Sequence, residues 1–189
     1  MAATVQIRRW LGASPGNGTQ DITSINTRAN TKDEHTTGDT TYPIQRPPSG
    51  TNYSYWVSTR LNCTVTPSGT INNLRWYTDG TNSYGTGVGC NVAKASTGAD
   101  SGYRQATGTE GQTGTQLTQA NHTGLDAAPV DAFTKTSGSP LSLNGSISNP
   151  NTGAFGDFVV YQVTVDNSAS PGVHPSSTPE TWTWKYDET

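Results

Sequence analysis

The chain has 189 residues, a formal net charge of -3, 30% hydrophobic residues and only 13% charged ones. Its near-neutral balance and its five Trp, eight Tyr and three Phe set it apart from disordered chains, which combine low hydrophobicity with high net charge. No apolar run approaches the ~20 residues of a membrane helix, and eleven scattered Lys and Arg argue against electrostatic binding of nucleic acid.

Thr, Ser and Asn fill 64 positions. Thr, with Tyr, Trp and Val, favours strands, whereas Asn, Ser, Gly and Pro favour turns. The chain reads as one all-β, loop-rich domain over 1–189. Residues 1–10 alternate, with Val5 and Ile7 opposite Gln6 and Arg8, which predicts a strand. The same stretch lacks the apolar run of a secretory signal. Two origins fit: a mature fragment whose signal was removed, or a protein made in the cytosol and released by lysis. Met1 favours the second.

After the turn cluster SPGNG at 14–18, residues 27–51 are almost wholly polar. Only Tyr42 and Ile44 offer anchors there, and Pro43, Pro47 and Pro48 hold the chain extended. This is an extended N-terminal arm or long contact loop, and order in so polar a segment is expected to come from neighbouring subunits. Arg28, Lys32, Tyr42, Ile44 and Arg46 are its candidate intersubunit contacts.

In NYSYWVSTRLNCTVT, residues Tyr53, Tyr55, Val57, Leu61, Cys63 and Val65 alternate with polar ones, the mark of a half-buried antiparallel strand. Trp56 falls opposite that face, so it joins the candidate contacts. INNLRWYTD places Leu74 and Trp76 together before the hairpin-grade turn Asp79-Gly80. TGVGCNVAK aligns Val88, Cys90 and Val92. Residues 97–124 form a second loop-rich stretch, and short strands resume at DAFTKT and PLSLNGSI. The run 155–165 predicts a strand buried on both faces at its start. ETWTWKY sets Trp182, Trp184 and Tyr186 on one face of a final strand, in a core. TGLDAAPVDAF offers at most one helical turn.

Catalytic signatures are missing: the sequence has no CxxC, HExxH, Walker loop or GxSxG. Asp33, Glu34, His35 and Asp39 cluster, but without the ligand order and glycine of an EF-hand, and a solvated loop explains them. Glu110, Asp157, Glu180 and Glu188 are spare carboxylates, so no catalytic, cofactor-binding or metal-ligating residue is assigned. Trp10, Trp56 and Trp76 are candidates for a sugar-stacking platform, with packing as the competing reading. Cys63 and Cys90 either form one bridge or remain two buried thiols. Cys63 lies ahead of Trp76, and Asp157, Tyr161 and Val163 mimic the D-x-x-x-Y-x-C corner, as in immunoglobulin-like sandwiches; a jelly roll fits the same pattern. The expected fold is therefore an antiparallel two-sheet β-sandwich, jelly-roll-like or alternatively immunoglobulin-like.

Three stretches, ATVQIRRW, SYWVSTRLNCTVTPSGTINNLRWYTDG and SASPG…ETWTWKYDET, resemble small virion structural proteins of tailed bacteriophages, especially those that decorate or cement the capsid. The resemblance implies a non-enzymatic β-sandwich, present in many copies on a virion. Its partners would be the major capsid protein, other virion proteins and copies of itself. It implies no cofactor, and explains an exterior composition without an export signal. The alternative is a glycan-binding or adhesin module of a tail or fibre.

Overall fold

The computed structural model of the protein describes residues 2–13, 18–37, 41–96, 101–176 and 178–189. In chain order its strands are β1 Thr4–Leu11, β2 Gly18–Asp21, β3 Thr51–Tyr53, β4 Val57–Val65, β5 Thr70–Thr78, β6 Val88–Ala95 and β7 Gly108–Thr109. They continue with β8 Thr113–Gly114, β9 Val130–Asp131, β10 Leu141–Leu143, β11 Ile147–Ser148, β12 Gly153–Asp166 and β13 Trp182–Glu188. The one helical piece among the described residues is a 3₁₀ turn at Ala132–Thr134, capped by the Asp131 carboxylate, which accepts from the Phe133 N–H. That cap ends β9 at Asp131, so of the strand expected over DAFTKT only the first residue forms.

Two main antiparallel sheets pack as a sandwich. The larger has seven strands in the order β2-β1-β4-β12-β6-β9, with β3 also on β12. In the smaller, β13 pairs with β5 from Ile71 to Thr78, while β10 and β11 pair with the ends of β5. Because β13 occupies one side of β5, β10 and β11 share the other. The Asp79-Gly80 turn is therefore not a hairpin: β5 and β6 lie in different sheets, and the 79–87 connection crosses between them.

Alternation along the strands builds two cores. On β6, Val88, Cys90 and Val92 face the smaller sheet, while Ala93 and Ala95 belong to the cluster on the other side. On β12, Val159, Tyr161 and Val163 enter the first core and Phe158 and Val160 the second, as the apolar run 155–165 predicted. Opposite them, β5 gives Ile71, Leu74 and Trp76 to the first core. Ile71 and Leu74 share a face despite their odd spacing because Asn73 takes a left-handed backbone, φ 52°, a conformation that asparagine tolerates.

The second core lies under the 101–125 segment, which supplies Tyr103, Ala106, Leu117 and Leu125. The continuous strand read over 53–65 breaks at 54–56. Val57, Leu61 and Cys63 stay on the first face, whereas Tyr55 joins Trp56 in the second core. The ladder is interrupted because the Tyr55 N–H donates to Asn30 O instead. Gly114 also comes so close that a Cβ on it would collide with the Ser54 carbonyl.

Cys63 and Cys90 are both buried and free. Cys63 pairs with Gly153 of β12 and Cys90 with Val163, far along the same strand. At about 3.3 Å per residue this separation greatly exceeds the roughly 7 Å that a disulfide allows between Cα atoms.

Candidate functional site

The described residues of the polar segment 27–51 make hydrogen bonds to their own chain, a source of order that its composition did not reveal. The Thr31 N–H donates to Tyr42 O (3.0 Å) and the Arg28 N–H to Thr36 O (2.9 Å), folding the segment back on itself. The Gln45 N–H donates to Gln112 O (3.0 Å), fastening it to the turn joining β7 and β8. Asn30 and Thr31 are buried. From Thr41 onward the chain alternates, with Tyr42, Ile44 and Pro47 turned inward and Pro43, Gln45, Arg46 and Pro48 exposed. The sequence missed this anchoring because main-chain hydrogen bonds, not apolar side chains, provide most of it.

Beneath the arm lies Arg9 of β1, 1% exposed, with Nε and Nη1 lacking hydrogen-bond partners. Burial lowers its pKa, opposed by Tyr161 and Asp33 and more weakly by Tyr103 and Glu34. Asp33 and Glu34, considered above as metal ligands, are engaged otherwise. The Asp33 carboxylate accepts from the Gly12 N–H (2.9 Å) and Gln105 Nε2 (2.8 Å), and Glu34 pairs with Lys32 at 3.6 Å. Asp39 lies outside the described residues. No group of three or more His, Cys, Asp or Glu is placed to hold a metal among the described residues.

The arm forms one wall of a cleft of about 900 Å³. The smaller sheet leaves part of the larger one uncovered, and described residues of two segments, 22–37 with 42–46 and 169–176 with 179–182, close around that part. Thr59, Tyr161 and Val163 of the larger sheet line it, as do Trp76, Trp182 and Trp184 of the smaller. Trp182 meets Tyr161 edge-on at 4.1 Å between ring centroids and Trp76 at 5.5 Å. Its buried Nε1 has no hydrogen-bond partner. Burial pushes the Tyr161 and Tyr84 hydroxyls well above the usual phenol range, so both stay neutral donors.

The second wall is pinned at several points. His174 sits between two backbone carbonyls, Nδ1 2.7 Å from Tyr84 O and Nε2 2.8 Å from Ser170 O. Arg46 Nη1 donates to Ala169 O (3.3 Å), and the Ser83 N–H donates to the Glu180 carboxylate (2.6 Å). These bonds give the cleft fixed walls without regular secondary structure.

Of the residues singled out from sequence, Arg28, Tyr42, Ile44 and Arg46 all border this cleft. Lys32 is tied to Tyr42, its Nζ 2.9 Å from the hydroxyl and 4.1 Å from the ring centroid. Trp56 is not a subunit contact: it is 3% exposed, inside the second core, with Nε1 donating to Arg104 O at 2.9 Å. Trp76 is likewise core, and Trp10 packs edge-on against Phe158, so the three do not form a sugar platform. Trp182 and Trp184, read as core, are half-buried and border both core and cleft. The sequence signal was the Trp-x-Trp of a terminal strand, which does not say whether an aromatic face meets a core or a cleft.

The spare carboxylates are dispersed. Asp157 is buried and accepts from the Asn144 N–H (2.6 Å), and Glu188 accepts from the Ser68 (2.8 Å) and Ala3 (3.2 Å) N–H groups. Glu110 lies exposed between β7 and β8. Each holds or adjoins a different stretch of backbone. Comparison with protein-family models, curated proteins and solved structures returns no match to this chain.

Proposed function

We propose that the protein is a non-enzymatic structural component of a virion, which decorates or cements a tailed-phage capsid by binding the major capsid protein and its own copies. The observation that supports this best is the outer edge of the arm. Residues 41–51 present an extended, exposed surface that the chain's own hydrogen bonds already hold in place. A partner that docks on it does not have to order it, which removes a cost of ~1–2 kcal/mol per residue.

Further support comes from the strand path. The chain passes from β4 in one sheet to β5 in the other, returns to β6, and crosses again for β10, β12 and β13, an alternation in keeping with a jelly-roll-like sandwich. The immunoglobulin-like alternative is less well supported, because β4 and β12 lie side by side in one sheet where that corner motif calls for strands in facing sheets. Free buried thiols agree with synthesis in a reducing host cytoplasm.

The test is loading onto purified particles. Pro48→Glu with Ser49→Glu alters two exposed positions of the arm, and is expected to abolish particle binding while leaving thermal melting unchanged. Full loading of that variant, or densitometry giving only a few copies per particle, overturns the proposal.

A further inference from the structure

We propose that the cleft between the arm and the 169–182 segment binds a small saccharide that carries a carboxylate. The inference is independent of the virion reading, since it concerns the cleft and not the outer edge of the arm. Three observations carry it. First, a volume of about 900 Å³ falls within the roughly 300–1,000 Å³ of small-molecule sites, and both walls are fixed by the bonds described above.

Second, the lining joins two chemistries that a sugar ring needs together. Trp182, Trp184 and Tyr84 line the cleft, and aromatic side chains of this kind pack against the C–H face of a pyranose. Ser24, Asn26 and Thr181 also line it and carry hydroxyl and amide groups. A purely apolar ligand would strip water from those polar groups and leave them unpaired, at ~1–3 kcal/mol each. A polyhydroxylated ligand pairs with them.

Third, the cleft has an uncompensated cation. Arg28 borders it, and no side-chain hydrogen bond or ion pair engages its guanidinium among the described residues. Glu180, on the opposite wall, accepts the Ser83 N–H and forms no ion pair with Arg28. A guanidinium takes a carboxylate through two parallel N–H···O bonds, which selects an acidic sugar over its neutral counterpart.

The experiment uses the full chain on an array of sialylated, uronate-containing and neutral glycans. Titrations followed by tryptophan fluorescence then compare the acidic glycan retained best with its neutral core. Saturable binding of the acidic glycan is expected, at least tenfold tighter than of the neutral one. Arg28→Gln should remove that preference, since a hydrogen bond to a charged group contributes about tenfold or more. Trp184→Ala should remove binding of both; if it fails to fold, Arg28→Gln carries the test. No retained glycan, equal affinity for acidic and neutral forms, or an unchanged preference in folded Arg28→Gln overturns the inference.

Discussion

The two faces of the larger sheet are buried by different means. Toward the smaller sheet, strands pack on strands, and Leu61, Ile71, Leu74, Trp76, Val92 and Val159 interlock with almost no exposure. On the opposite face the cover is the 101–125 segment, whose only strands among the described residues are the two-residue pair β7 and β8. Strand backbones satisfy one another in a ladder; a loop must find partners singly. Gln162, fully buried on β12, provides two of them, and a third bond ties it to the break at 54–56. Its Oε1 accepts from the Leu117 N–H (2.6 Å), and its Nε2 donates to Ser54 O (2.7 Å) and Thr115 O (2.8 Å). One glutamine therefore does for the second core what a neighbouring strand does for the first.

The comparison predicts a global loss on one face and a local one on the other. Trp76→Ala removes the largest fully buried side chain of the first core and should cost about 3–5 kcal/mol, leaving little soluble protein. Trp184→Ala, at a half-buried position bordering the cleft, should cost less and remain soluble. Gln162→Ala strands an N–H and two carbonyls, and a cost of about 2–4 kcal/mol is expected after partial rescue by water. Hydrogen exchange should quicken across 101–125 while β4, β6 and β12 stay protected. Uniform acceleration in Gln162→Ala would mean that the two cores unfold as one unit, and the distinction between them fails.

Acid sharpens the same contrast. His122 is fully buried against Trp56, 5.3 Å between ring centroids, and neither ring nitrogen has a hydrogen-bond partner. Burial, with a smaller contribution from Arg104, lowers its pKa to about 4. The unfolded chain takes up this proton near 6.5 and the folded one only near 4, so stability is lost as pH falls between those values. At pH 5 the loss is about 2 kcal/mol. His122→Leu should abolish it without harm at neutral pH, because no hydrogen bond is given up. Carboxylates held down by hydrogen bonds, such as Asp21 and Asp166, titrate lower and are common to both proteins. Melting curves at pH 7 and pH 5 decide; an equal acid shift in wild type and His122→Leu removes His122 from the account.

The first core was legible because its strands obey a period of two. β1, β6, β12 and β13 fall where the alternation predicts, and Val88, Cys90 and Val92 share the face expected of them. The second core was not legible. Leu117, Leu125 and His122 occur singly among Thr, Gln, Asn and Gly, and a loop that covers a sheet has no period to read. Tyr55 was assigned to the wrong face because a break at 54–56 carries no signal beyond ordinary strand residues. The cleft is subtler still. Its aromatic residues come from β5, β12, β13 and two loops, and only the sheet order, set by distant pairing, brings them together.

The smallest expected effect concerns the cysteines, both members of the first core. A bridge closing their loop would contribute roughly 3–4 kcal/mol in the chain-entropy model, which for a chain of this size is about 10 °C of melting temperature. The strand order forbids it, since β12 separates β4 from β6 and the two thiols pair at well-separated points along it. The Cys63 thiol donates to Val65 O at 3.0 Å, and burial pushes both thiols above their usual range, which keeps them protonated and unreactive. Melting in the presence and absence of reductant should therefore coincide. Cys90→Ala should lower the melting temperature only by the packing it removes, equally with and without reductant. A reductant-dependent drop approaching 10 °C would require β4 and β6 to come together, and with that both the sheet order and the division into two cores would fall.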